Sequence, residues 1–214
     1  MSFDRLAPHY RWMECVVAGN KLQRCRTAFL SRVKEARNVL ILGEGNGRFL
    51  VEARRVLGSA PITCVDSSAR MLQLAQARLS ALSLSPAAVS FVHADALNWI
   101  PPKQSYDVVV SHFFLDCFQP AQLAQLLATI SHAATPEAIW LLADFQIPRG
   151  CVCRWRAQLI HRVMYAFFRV FTHLPAWRLT EPDPFLQAHG YQLRERLVVD
   201  WGLLRSDLWQ RGPT

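Results

Sequence analysis

Four apolar residues, Val39-Leu40-Ile41-Leu42, run directly into three glycines at alternate positions, Gly43, Gly45 and Gly47. A helical pattern over residues 49–56 follows at once. A short, wholly apolar run closed by glycines reads as a strand buried on both faces. Glycines in the turn permit backbone angles closed to other residues and let a ligand approach the main chain. Strand, glycine turn and helix in this order point to an α/β fold with its ligand at the carboxyl edge of a parallel sheet.

The rest of the chain keeps that alternation. Further apolar runs, at residues 62–65, 89–92, 106–111 and 138–143, read as strands. Between them, residues 68–82 carry Met71, Leu72, Leu74, Ala75 and Leu79 at helical spacing, with Ser68 as the expected N-cap. Residues 120–132 place Leu123, Leu126, Leu127 and Ile130 on one helical face behind Pro120. A basic helical stretch is expected over 152–171, then a proline-rich turn and a short helix over 185–189 closed by Gly190. Strands over 191–199 and 203–209, joined near Asp200-Trp201-Gly202, would close the sheet with an antiparallel hairpin. The expected class is thus a doubly wound α/β fold, mostly parallel. At 214 residues, one domain is the simplest organisation: an N-terminal lid over 1–37, a core over 38–148, and a cap with hairpin over 149–214.

The glycine turn also narrows the ligand. It lacks the Gly-Lys-Ser/Thr of a phosphate-binding loop, and its spacing is not the Gly-x-Gly-x-x-Gly of dinucleotide folds. An adenosyl ligand without phosphates fits better. Asp66, at the end of the second strand, is placed to accept hydrogen bonds from both hydroxyls of a ribose. Asp95 ends the third strand on the same edge. The six cysteines show no zinc spacing, so no metal site is expected. The opening residues have no apolar signal core and no run reaches membrane-spanning length, which predicts a cytoplasmic location.

These motifs resemble the class I S-adenosylmethionine-dependent methyltransferases, whose first motif reads acidic-x-Gly-x-Gly-x-Gly. The resemblance covers residues 36–145 by motif. It implies a seven-stranded sheet in the order 3-2-1-4-5-7-6 and S-adenosyl-L-methionine as cofactor. It places Gly43, Gly45 and Gly47 along the methionine arm, Asp66 on the ribose, and Ser67 and Met71 beside the adenine. Asp95 and Ala96 would meet the adenine edge, and Ser111 and His112 would lie under the sulfonium. The family's acidic position is Ile41 here; Glu44 either takes over contact with the cofactor's ammonium group or faces solvent.

A second resemblance concerns the acceptor. Phe3-Asp4-Arg5-Leu6-Ala7-Pro8-His9-Tyr10 is similar to the Phe-Asp-x-x-Ala-x-x-Tyr opening of the quinone C-methyltransferases of the ubiquinone and menaquinone pathways, where it forms a lid. It implies a small hydrophobic acceptor, aromatic, quinone-like or lipid-like, methylated at carbon or oxygen. His9, Tyr10 and Phe113 are the expected acceptor contacts. His112 and Asp116, following the fourth strand, are the candidate proton acceptors, since a neutral imidazole suits a phenol or an activated carbon.

Net charge is +8, concentrated in the flanks: eight Lys/Arg against three acids over 1–37, and ten against five over 149–214. Residues 149–178 hold six Arg, no acid and six interleaved aromatics, which suits peripheral contact with an anionic membrane or a cap over a lipophilic acceptor. Nucleic-acid or protein methylation is the alternative, but the Asn/Asp/Ser-Pro-Pro-aromatic motif of nucleic-acid amino-methylating enzymes is absent. A non-catalytic adenosyl-binding protein remains open because of Ile41.

Overall fold

The computed structural model describes residues 20–148 except 85 and 87, residues 155, 157, 159 and 160, and residues 179–212. Seven strands form one sheet in the order β3-β2-β1-β4-β5-β7-β6. They are β1 (Val39–Leu42), β2 (Ile62–Asp66), β3 (Val89–His93), β4 (Tyr106–His112), β5 (Ala134–Phe145), β6 (Tyr191–Val199) and β7 (Leu204–Arg211). The first five pair in parallel, and β7 runs antiparallel to both β5 and β6. The expected order and closing hairpin are both present.

Alternation along the strands divides the core between two faces, as the pleat requires. Leu40, Leu42, Val109, Trp140 and Leu142 face α4 (Pro120–Ala133) and meet Leu123, Leu126, Leu127 and Ile130. Val39, Ile41, Val108, Val110 and Leu141 face the other way, onto α2 (Arg48–Leu57) and α3 (Ala69–Ala81). Ser68 caps α3, its side chain accepting from the Met71 N–H at 3.2 Å.

A third, smaller cluster sits at the carboxyl end of β5. There α1 (Asn20–Thr27) lays Leu22 and Cys25 against Ala143, Phe145, Leu203 and Leu204, with Ala157 beside them. The helix is tied down by polar contacts to the closing hairpin. Ser206 Oγ donates to the Cys25 carbonyl at 2.8 Å and Lys21 pairs with Asp200; in the 3-10 turn that follows (Leu30–Val33), Arg32 pairs with Glu195.

Two elements differ from expectation. β5 begins at Ala134, immediately after the last residue of α4, rather than at 138. Its opening residues Glu137 and Pro136 are exposed, which hides the strand from a search for apolar runs. The short α5 (Asp183–Ala188) begins before the expected 185, with proline in its first turn where the missing N–H costs nothing.

The hairpin carries an ion network that is buried at Asp207 and Arg205 and open at Arg196. Arg196 donates to both oxygens of Asp207, at 2.7 and 2.8 Å, and to Asp183 at 2.7 Å; Arg205 pairs with Asp183 at 2.7 Å. Asp207 is fully buried. Asp207→Ala should lower the unfolding free energy by about 3 kcal/mol, because the buried Arg205 loses one of its two carboxylate partners and keeps only Asp183. Urea denaturation checks this, and Asp207→Asn should lose less.

Candidate functional site

The carboxyl edges of β1, β2 and β4 bring the expected site residues into one neighbourhood. Leu42 pairs with Val65 on one side and Ser111 on the other, so the glycine turn, Asp66 and His112 emerge side by side. All three glycines of the turn have left-handed backbones, with φ of 64°, 68° and 81°. Their surroundings differ. A Cβ on Gly43 would collide with the Phe114 ring, and one on Gly47 would lie 2.6 Å from the Ala75 backbone. A Cβ on Gly45 would meet nothing within 4 Å. Two glycines therefore allow close packing, while the middle one borders open space.

Asp66 is buried at the end of β2. Its Oδ2 accepts from the Gly45 N–H at 3.2 Å and its Oδ1 from the Ser68 N–H at 2.9 Å, so it joins the glycine turn to the start of α3. Met71 is buried in the first turn of α3, and Ser67 is half-buried beside it. Asp95 is exposed and accepts from the Leu97 N–H at 3.0 Å, while Ala96 is buried.

A small cleft opens above the end of β1, lined by Arg26, Ile41, Leu42, Gly43, Glu44, Phe49 and His112. Glu44 does not face solvent. Its Oε1 accepts from the Phe49 and Leu50 N–H groups at 3.0 and 2.9 Å, supplying the first turn of α2 with an acceptor. Burial pushes its carboxyl up to about 7, against the opposing pull of those hydrogen bonds and of Arg26. His112 packs edge-on against Phe49, with ring centroids 4.5 Å apart. Burial, reinforced by the Arg26 charge, holds its pKa well below the ordinary imidazole value. Its Nδ1 is buried with no hydrogen-bond partner among the described residues.

Ser111 points away from the cleft. Its Oγ accepts from Trp140 Nε1 at 2.8 Å inside the core, so only its main chain reaches the edge. Phe113, after β4, has φ of 54°, a strained conformation for an aromatic residue. Its ring stacks against Phe145 at 5.2 Å and lies under the Arg26 guanidinium, also at 5.2 Å. Asp116 is buried, which raises its carboxyl to about 6. Burial and the Asp116 charge push Asp144, on β5, well above the carboxylate range. His9 and Tyr10 lie outside the described residues.

Arg26 escapes a motif search, whereas Asp144 lies in Ala143-Asp144-Phe145, a stretch similar to the quinone methyltransferases after their fifth strand. Asp144 has a signal, an acid closing a wholly apolar run. Arg26 has none, since it sits among Lys21 and Arg24 in a uniformly basic helix.

A family model described as a methyltransferase domain matches residues 39–137, from the start of β1 into β5. The chain is also 27% identical over 212 residues to a demethylmenaquinone methyltransferase of Deinococcus radiodurans, covering 92% of this chain and 86% of the relative. Residues 39–137 thus match a methyltransferase domain, and the matches together support an S-adenosylmethionine-dependent methyltransferase of class I. Solved methyltransferase structures share the fold. Mitomycin 7-O-methyltransferase MmcR superposes with a TM-score of 0.70 at 16% identity, over 99% of this chain but only 61% of its own length. Magnesium protoporphyrin IX methyltransferase of Synechocystis PCC 6803, solved with S-adenosylhomocysteine bound, superposes with a TM-score of 0.68 at 14% identity, over 98% and 96% of the two chains.

S-adenosylmethionine is accordingly the cofactor of this methyltransferase, and the edge of its sheet is suited to that ligand. Open space borders Gly45, a carboxylate stands at the end of β2, and His112, whose buried Nδ1 has no partner among the described residues, lines the cleft.

Proposed function

We propose that this methyltransferase acts on a small hydrophobic acceptor, quinone-like or otherwise aromatic or lipid-like, at carbon or oxygen. The observation that carries this reading is the likeness to a demethylmenaquinone methyltransferase along nearly the whole of both chains. The rings of Phe113 and Phe145 at the ends of β4 and β5 support it, since pockets for such acceptors are mostly apolar with few orienting polar groups.

In this reading Gly43, Gly45 and Gly47 follow the methionine arm. Asp66 takes the ribose hydroxyls, Ser67 and Met71 flank the adenine, and Asp95 and Ala96 meet its edge. The bound cofactor supplies a methyl group on a sulfonium, a good leaving group, so positioning provides much of the rate. His112 takes the proton that an acceptor phenol or carbon must lose, and Asp116 is the second candidate. Phe113 forms part of the acceptor wall, with His9 and Tyr10 in the lid assigned by resemblance.

Mass spectrometry of lipophilic extracts from cells with and without the protein tests the acceptor. A demethylated quinone or related aromatic should accumulate without it. Methylation of RNA or protein, with none of any lipophilic compound, would overturn the reading. The acid-free stretch over 149–178 lies mostly outside the described residues, and Trp155 within it is exposed. Peripheral contact with an anionic membrane is part of the proposal. Reversing the charge of Arg154, Arg156 and Arg162 should reduce co-sedimentation with anionic vesicles at low salt.

A further inference from the structure

We propose that Asp144, at the end of β5, donates a hydrogen bond from its free carboxyl oxygen to an oxygen of the acceptor other than the atom methylated, so that the acceptor must carry a carbonyl or hydroxyl there. This rests on the reading of a small hydrophobic acceptor lying against Phe113 and Phe145.

Three observations carry it. The first is an unused atom. Asp144 is 1 % exposed, yet only one of its oxygens is engaged. Oδ1 accepts from the Phe145 N–H at 2.8 Å; Oδ2 is buried with no hydrogen-bond partner among the described residues. Such atoms are rare, since a buried polar group without a partner forfeits its hydration for nothing, and a bound ligand completes it.

The second is charge. Arg205 stands opposite Asp144 in the β5–β7 register, but it pairs with Asp183 at 2.7 Å and with Asp207 at 3.6 Å. Asp116 brings another carboxyl close from the turn after β4, and Asp207 a third from β7. Neighbouring carboxyls in one buried place do not all ionise. Burial and Asp116 together hold Asp144 in its neutral form, against the pull of Arg205. A neutral carboxyl has an O–H to donate.

The third is position. Asp144 directly precedes Phe145, whose ring stacks on Phe113 at 5.2 Å. The Cys117 thiol lies within reach of the charges of Asp116, Asp144 and Asp66 together, so the acid pair stands on the same edge of the sheet as the carboxylate proposed for the ribose. An apolar wall holds a flat acceptor without orienting it; one placed donor fixes which atom meets the sulfonium.

Calorimetry on protein saturated with S-adenosylhomocysteine tests this with two probes, 1-tetralone and tetralin. They share one fused-ring carbon skeleton, and only the first carries a carbonyl. The unaltered protein should bind 1-tetralone about 5- to 100-fold more tightly, the range for leaving a buried polar group unsatisfied. Asp144→Ala should erase that preference, and Asp144→Asn, whose amide still donates, should keep most of it. The pH dependence needs no variant, so it decides even where Asp144→Ala fails to fold. The groups facing Asp144 are Asp116, Cys117, Arg205 and Asp207. The preference should hold while the carboxyl keeps its proton and fade as pH rises through its elevated pKa; in Asp144→Asn it should not follow pH. Equal binding of both probes by the unaltered protein would leave the acceptor reading standing and overturn the role of Asp144. Equal weakening of both probes in Asp144→Ala, with native circular dichroism, would make the residue a support for the pocket wall and overturn it too. If the unaltered protein binds neither probe, the hydrophobic acceptor itself fails, and the proposal with it.

Discussion

His112→Ala should lower the maximal methylation rate by about 10²- to 10⁴-fold, the usual cost of losing a general base. The ring is buried, lines the cleft, packs against Phe49, and carries a buried Nδ1 without a hydrogen-bond partner among the described residues. Cofactor affinity should change much less. A loss confined to the acceptor's KM would make His112 a binding residue instead. The pH profile supplies a second readout. Because burial and Arg26 hold the imidazole pKa well below its ordinary value, the ring stays neutral to lower pH. The maximal rate should therefore remain flat as pH falls through 6.5, the reference value for histidine, and decline only below it. Glu44 moves the other way. Its carboxyl, raised to about 7 in the folded protein, is increasingly protonated below that pH and loses its attraction for an ammonium. The groups around it are Arg26, Cys64, Asp66 and His112. As pH falls through 7, KM for the cofactor should rise while the maximal rate holds, and Glu44→Gln should remove that dependence.

Gly45→Val should abolish cofactor binding, an affinity loss beyond 100-fold, while the protein still folds. The added side chain would project into open space where the ligand is proposed to lie. The left-handed backbone would cost about 1–2 kcal/mol in stability. Gly47→Val should fail differently. There the side chain would strike the Ala75 backbone, and α2 could not pack against α3. Loss of the folded thermal transition is expected, so binding data on that variant would be uninformative. A Gly45→Val protein that folds and binds normally would remove the glycine turn from the site.

The sheet was legible because buried parallel strands have no polar face and must appear as continuous apolar runs. Ser68 and Gly190 were legible because helix caps demand particular residue types. The start of β5 was not, since Thr135-Pro136-Glu137 looks like a turn when detached from its pairing with β4. Within the site, Asp66 and the glycines follow from position on a strand edge. Glu44 shows the limit of such reasoning: its spacing placed it beside the ligand or in water, whereas the first turn of α2 draws it inward as an acceptor. Ser111 is the converse, a polar residue at the right edge whose hydroxyl is committed to Trp140. Side-chain direction decides both, and no local pattern encodes it.

The fastening of α1 to the closing hairpin bears on how the molecule is made. Lys21 meets Asp200 across 179 positions, and Cys25 meets Ser206 across 181. A ribosome adding about 5–20 residues per second therefore releases the partners of α1 roughly ten seconds or more after α1 itself. During that interval β1 to β5 can assemble and offer Ala143 and Phe145, yet Leu22 and Cys25 still lack Leu203 and Leu204, and the Cys25 carbonyl lacks Ser206. The nascent chain should pass through a stage with a formed central sheet, a half-seated α1 and a cleft whose Arg26 wall is not yet fastened. Ligand capture by arrested chains of increasing length should switch on only once β7 has cleared the exit tunnel.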